Sequence, residues 1–319
     1  MTKRFSAAIR AVLAYTASAF LGCALLGLGA VAQAQTQTVY ATGVAQPANL
    51  SFDSTGALFS GEFSQSRVFR TPAGGGAGAV FTTAPGQTHY AVIGPDGGLY
   101  VTQTSAGEVL RYAPAAVVPD VAPYATGLPA DRQAIAFDAA GRLFAVVDNN
   151  TNLWMVPPGG GVASVFGTGV GARPLAVALD AGGNIYALNQ TDGVVRRVGS
   201  GGGAATVFST GGGAASLAMA IHPDGRVFTA DFFTNQIFVT SSAGGVQTPF
   251  YVSPPASGIT SLAIRGGVLY AGNFNNATVY AISIPVVPVP TMSEWAMILF
   301  GLMLAGGAAL YIQRRHLIA

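Results

Sequence analysis

The chain is poor in the residues on which redox, metal and charge-driven chemistry depend. Its one cysteine is Cys23, its one lysine is Lys3, and its histidines are His89, His222 and His316. With a single thiol, no disulfide framework can staple the fold and no cysteine-based zinc site is available. Charged residues make up 9% of the 319 positions. Between Gln35 and Pro290 there are 10 arginines and 12 acids, a net charge of −2, so the overall +2 comes from the two ends. Such a body offers no electrostatic footprint to nucleic acid or to an anionic membrane surface. No G-x-S-x-G nucleophile motif occurs, and neither a metal nor a cofactor is predicted.

Glycine, by contrast, is abundant, with 43 residues, and much of it recurs at a fixed interval. Six related stretches are LSFDSTGALFSG from Leu50, AVIGPDGGLYVT from Ala91, IAFDAAGRLFAV from Ile135, VALDAGGNIYAL from Val177, MAIHPDGRVFTA from Met219 and LAIRGGVLYAG from Leu262. Their turn glycines (Gly56, Gly97, Gly141, Gly183, Gly225 and Gly267) are spaced by 41, 44, 42, 42 and 42 residues. Apolar runs paired with turn signals at this period predict propeller blades, each a four-stranded sheet. The run before each turn alternates small with large residues, as in Ala176-Val177-Ala178-Leu179, which suits an innermost strand with little room near the axis.

A third strand follows in every unit (SRVFRT, GEVLRY, TNLWMV, GVVRRV, NQIFVT, ATVYAI), and five units add a fourth (AVFTTA, APYATG, SVFGTG, TVFSTG, TPFYVS). The sixth runs instead into Pro285, Pro288 and Pro290, which cannot form a paired central strand. Thr38–Gly43, TVYATG, matches the missing piece. The expected fold is all-β: a six-bladed propeller over 35–283 whose last blade is completed by an N-terminal strand, so that no blade is left open. Glycine-rich runs at 74–76, 159–161 and 201–203 fall between third and fourth strands, at the same end as the turns, and read as flexible loops without side chains.

Two terminal segments flank this body. Residues 1–34 carry Lys3, Arg4 and Arg10, an apolar stretch and Ala32-Gln33-Ala34, the pattern of a cleaved secretory signal peptide. Residues 284–290 form a proline-rich spacer. In 291–319, an apolar run over 295–312 is long enough to span a bilayer as a helix. Arg314 and Arg315 after it predict a cytoplasmic C-terminus.

Pro290, Thr291, Ser293, Glu294, Trp295 and Met297, followed by that run and the arginines, resemble the IPTL-CTERM sorting signal of exported proteins in Gram-negative bacteria, a relative of PEP-CTERM. Val289, Met292 and Ala296 depart mildly from its usual residues. The resemblance implies recognition by an exosortase-like membrane enzyme. It also implies an inner-membrane-anchored precursor facing the periplasm, then transfer to the cell envelope or surface.

The body, through IGPDGGLYVT and its siblings, resembles NHL-type and gluconolactonase-like propellers. The enzymes of those families hold a divalent cation near the start of the inner strands. The matching positions here are Ala48 and Asn49, His89 and Tyr90, Gln133 and Ala134, Leu175 and Ala176, Leu217 and Ala218, and Thr260 and Ser261. None is an acid, whereas a hard cation asks for several oxygens, usually carboxylates.

Antiparallel alternation puts the inner-strand entries and the loops between second and third strands at one end, here called the top. That end collects Glu62, His89, Tyr90, Arg132, Gln133, Asp148, Arg173, Asn189, Asp231 and Asn273 as a candidate ligand-binding face, together with Gln103, Asn149, Phe232, Phe233 and Phe274. No catalytic residue is assigned. Two functions are compatible with this reading. One is a non-catalytic binding or interaction module for an unidentified small molecule, glycan or protein. The other, implied by the resemblance, is a gluconolactonase-like or streptogramin-lyase-like hydrolase or lyase centred on His89, Tyr90 and Gln133; the missing acids favour the first.

Overall fold

Each repeat folds as the alternation of its residues dictates. In the fourth, Pro174–Leu179 runs inward-most, turns at Asp180 and Gly183, and pairs antiparallel with Ile185–Asn189, then Val195–Val198, then Thr206–Thr210. The computed structural model describes residues 35–253, 258–285, 299–304 and 306. Within Gln35–Ile284, a compact unit, six such sheets form a six-bladed propeller. The signal-peptide reading of 1–34, spacer residues 286–290 and most of 291–319 lie outside the described residues. Residues 299–304 are helical, and among the described residues no helix is long and apolar enough to cross a membrane.

Ring closure follows the sequence. Gln37–Thr42 pairs antiparallel with Thr278–Ser283 and completes the sixth blade. In every blade an aromatic of the second strand meets one of the outer strand edge to face: Phe59–Phe81 at 5.3 Å, Tyr100–Tyr124 at 4.7 Å, Phe144–Phe166 at 5.1 Å, Tyr186–Phe208 at 4.9 Å and Phe228–Phe250 at 4.9 Å. Tyr40 supplies the sixth such contact, on Tyr270 at 4.8 Å. Each pair adds about 0.5–1.5 kcal/mol beyond area burial. The second strands are sandwiched between neighbouring blades; Leu143–Val147 and Ile185–Asn189 are buried at all positions.

Two expectations are corrected. The glycine-rich runs are not loose loops. Gly76–Ala77, Gly161–Val162, Gly203–Ala204 and Gly245–Val246 each pair in parallel with the outer strand of the preceding blade, tying the first blade to the sixth and the second through fifth to one another. Glycine is required because the segment crosses a carbonyl closely with positive φ. At Gly75 (φ 98) a Cβ would overlap the carbonyl oxygen of Tyr40, and at Gly160 (φ 95) that of Tyr124. Two outer strands, Ala79–Thr83 of the first blade and Thr248–Val252 of the fifth, receive no such clasp among the described residues.

The second correction concerns the axis. The alternating alanines do not fill it: the inner strands enclose a cavity of about 320 Å³, because the six strands stand too far apart for alanine to bridge.

Candidate functional site

The top of the axis is a narrow mouth of about 20 Å³ lined by residues including Phe63, His89, Tyr90, Arg132 and Gln133. Four of the ten predicted face residues therefore meet at one point. Tyr90 forms the floor: its hydroxyl crosses the ring and donates to the carbonyl oxygen of Leu175 at 2.9 Å, and burial pushes the phenol pKa up. Gln133, only 1% exposed, donates through Nε2 to the Pro129 carbonyl at 3.0 Å. Its Oε1 has no partner among the described residues.

His89 packs edge to face on Phe63, ring centres 4.4 Å apart. Burial, then the nearby Arg132 charge, lowers its pKa to about 4, against the weaker pull of Asp148 and Asp131. The ring is neutral at physiological pH, and no hydrogen bond joins it to a carboxylate among the described residues. A histidine held neutral when folded and titrating near 6.5 when unfolded contributes stability above pH 6.5 that disappears as pH falls toward 4. Unfolding measured between pH 7 and 4 is thus expected to show a loss of up to about 3 kcal/mol that His89→Phe removes.

The other predicted residues occupy a ring of their own. Gln103, Asn189, Asp231 and Asn273 end the second strand of a blade, Glu62 and Asp148 directly follow one, and all six are buried. Most of their polar atoms hold loops, whereas Gln103 Nε2 and Asn273 Oδ1 are buried without a partner among the described residues. Glu62 accepts two hydrogen bonds from Arg67 at 2.6 and 2.8 Å. Asp148 accepts a bidentate pair from Arg173, both 3.0 Å, and lies 3.4 Å from the Arg132 guanidinium. Burial alone would raise the Asp148 pKa, but Arg173 and then Arg132 hold it below the usual carboxylate range. Asp231 accepts the backbone N–H groups of Ala215, Phe233 and Thr234, and Asn189 accepts that of Arg173. Asn273 donates to the Thr278 carbonyl at 3.5 Å.

In these ion pairs the carboxylate is buried and the guanidinium faces out: Asp148 is 1% exposed at its side chain, Arg173 34% and Arg132 32%. What the top presents to solvent near the axis is therefore cationic and aromatic. Phe63, overlooked in the sequence, links the two characters. Arg132 lies over its ring at 5.6 Å, and beyond it Phe274, Phe232 and Phe233 follow at 5.7, 5.8 and 5.4 Å. The signal was legible: Phe63 follows Glu62 in the same register as Phe232 follows Asp231 and Phe274 follows Asn273.

The divalent-cation site expected of gluconolactonase-like enzymes does not fit these residues. The inner-strand entries carry no carboxylate, Asp148 is saturated by arginines, and no three of His, Cys, Asp and Glu cluster among the described residues.

No curated protein matches the chain. Among solved structures, a gluconolactonase from Xanthomonas campestris is similar, with TM-score 0.65 and 10% identity over 81% of this chain and 93% of its own. Virginiamycin B lyase from Staphylococcus aureus is similar too, with TM-score 0.58 and 13% identity over 79% and 89%. At such identities the likeness is one of fold. Residues 287–316 match the IPTL-CTERM motif, a C-terminal sorting signal. The chain is thus a six-bladed β-propeller that ends in an IPTL-CTERM motif.

Proposed function

We propose that this protein is an exported, envelope-sorted propeller that binds a partner through its top face and performs no chemistry of its own. The observation that carries the reading is the commitment of every predicted top-face acid. Glu62, Asp148 and Asp231 are buried and hydrogen-bonded to arginines or loop N–H groups, so none is free to act as base, nucleophile or metal ligand. His89 is neutral but lacks the carboxylate that would orient it as a base. The mouth takes only a group the size of a water or hydroxyl, so the partner lies across the surface, against the phenylalanine arc and the guanidiniums of Arg132 and Arg173. Aromatic and arginine side chains on a rigid frame are the usual anchors of recognition.

The address belongs to the same reading. The 1–34 signal exports the chain, helix 295–312 halts it with Arg314 and Arg315 in the cytoplasm, and the 284–290 spacer presents the signature to an exosortase-like enzyme facing the periplasm of a Gram-negative cell. The gluconolactonase-like or lyase-like alternative requires a bound cation and turnover. Metal analysis of the full chain, with lactone-opening assays in added magnesium, calcium, manganese and zinc, separates the two. The expected result is substoichiometric metal and no turnover; one cation per chain with turnover overturns the proposal.

A further inference from the structure

The four clasps share one register, counted back from the aromatic of the outer strand that follows each. Gly76–Ala77, Gly161–Val162, Gly203–Ala204 and Gly245–Val246 lie five and four residues before Phe81, Phe166, Phe208 and Phe250. Each pairs with the two residues beyond the preceding blade's aromatic, as Gly245–Val246 does with Ser209–Thr210 beyond Phe208. Six residues before the same aromatic stands a glycine with positive φ: Gly75, Gly160, Gly202 and Gly244. A Cβ at any of the four would overlap the carbonyl oxygen of the preceding aromatic. The second blade supplies the contrast. Six residues before its Tyr124 stands Val118, and Ala79–Thr83 has no clasp among the described residues. The Val117 carbonyl instead accepts a hydrogen bond from Thr82 Oγ1 at 2.7 Å.

Counting back from Tyr40 gives one more member of the series. Gln35–Thr36 falls at the clasp pair and Ala34 at the glycine. The matching target is Tyr251–Val252, beyond Phe250 on the unclasped outer strand of the fifth blade. The backbone already faces the right way. Thr36 N–H donates to Ser283 Oγ at 2.8 Å, and the Thr36 carbonyl accepts from Ser283 N–H at 3.0 Å. Both groups of Thr36 thus turn toward the sixth blade's third strand, and by the alternation of extended backbone those of Gln35 and Gln37 turn away from it. In existing clasps the outward groups are the ones that bond: Gly161 N–H donates to the Tyr124 carbonyl, and Ala205 N–H to that of Thr168, both at 2.8 Å. The equivalents are the Gln35 nitrogen to the Phe250 carbonyl and Gln37 N–H to that of Val252. A Cβ at position 34 would meet the Phe250 carbonyl, as Val118 would in the second blade.

We infer that the fifth blade's edge at Tyr251–Val252 is the docking site of the processed N-terminus. The inference rests on the export reading above, which supplies the cut. Hydrolysis of the Ala34–Gln35 peptide bond by a signal peptidase, with water as nucleophile, leaves a carboxylate on Ala34 and an amine on Gln35. The obstructing Cβ departs with residues 1–34, Gln35–Thr36 pairs in parallel with Tyr251–Val252, and the fifth blade is tied to the sixth.

The test is NMR-detected amide hydrogen exchange on the mature protein and on the full chain made without export, both in amphipol, with the mature N-terminus read by intact mass. Gln37 is expected to exchange about tenfold more slowly in the mature protein, while Ala205, clasped in both forms, reports an intact fold. In the uncut full chain, Ala34→Gly should slow Gln37 likewise, because it removes the Cβ and admits a positive φ; Ala34→Val should not. Equal Gln37 exchange in mature and full chains, or in the Ala34→Gly and unaltered full chains, overturns the docking while leaving the cut in place. A mature N-terminus other than Gln35 overturns the cut assumed by the export reading and the docking with it.

Discussion

A chain lacking Gln35–Gly43 is expected to melt roughly 10–20 °C lower than the intact protein and to self-associate. The deletion removes a whole outer strand: its ladder with Thr278–Ser283, the Tyr40–Tyr270 contact, and the fully buried Ala41. It also removes the strand onto which Gly76–Ala77 is clasped, so the first blade loses its tie to the sixth. The combined loss of burial, pairing and one inter-blade tie is of the order of 5 kcal/mol, well above a typical point substitution. The exposed edge of Thr278–Ser283 would then be a template for pairing with another chain. Differential scanning calorimetry with light scattering checks this; an unchanged melting temperature and monodisperse behaviour would mean that the strand does not close the ring.

The second large effect concerns destination. Replacing Pro290, Thr291 and Glu294 together by alanine leaves the apolar run over 295–312 intact. The triple variant is expected to accumulate as full-length precursor in the inner membrane, whereas the wild type moves on to the envelope. On the proposed reading the signature residues, and not hydrophobicity alone, are what the sorting enzyme recognises. Fractionation with an epitope in a propeller loop reads the outcome. Equal inner-membrane retention of both proteins would reduce 291–319 to an ordinary anchor.

How much of this was legible in the sequence depends on the range of the contact. Turns at Asp180 and Gly183 are local, and their 42-residue echo exposes the blades directly. Ring closure could be read because TVYATG is a strand out of place. The clasps could not: Gly160 sits among glycines, and its requirement comes from a carbonyl at Tyr124 in another blade. The Tyr90–Leu175 bridge joins residues 85 apart, and nothing in either segment announces the other. Alternation puts Asp148 and Asp231 on the top face and hairpin chemistry suggests that they bond local backbone; that Arg173 from the next blade holds Asp148 only the fold shows. The alanines of the inner strands suggested a crowded axis, but periodicity does not report the ring's radius.

Hydroxyl-radical footprinting of the mature protein in its native envelope, set beside the purified full chain, tests top-face binding most directly. Phe233, 79% exposed, with its neighbours Phe232, Phe274 and Phe63, oxidises readily when nothing covers the arc. The account predicts that these phenylalanines are protected severalfold in the envelope, while Phe137 at the opposite end reacts equally in both settings. Equal oxidation of the arc in the envelope and in the purified protein would contradict it.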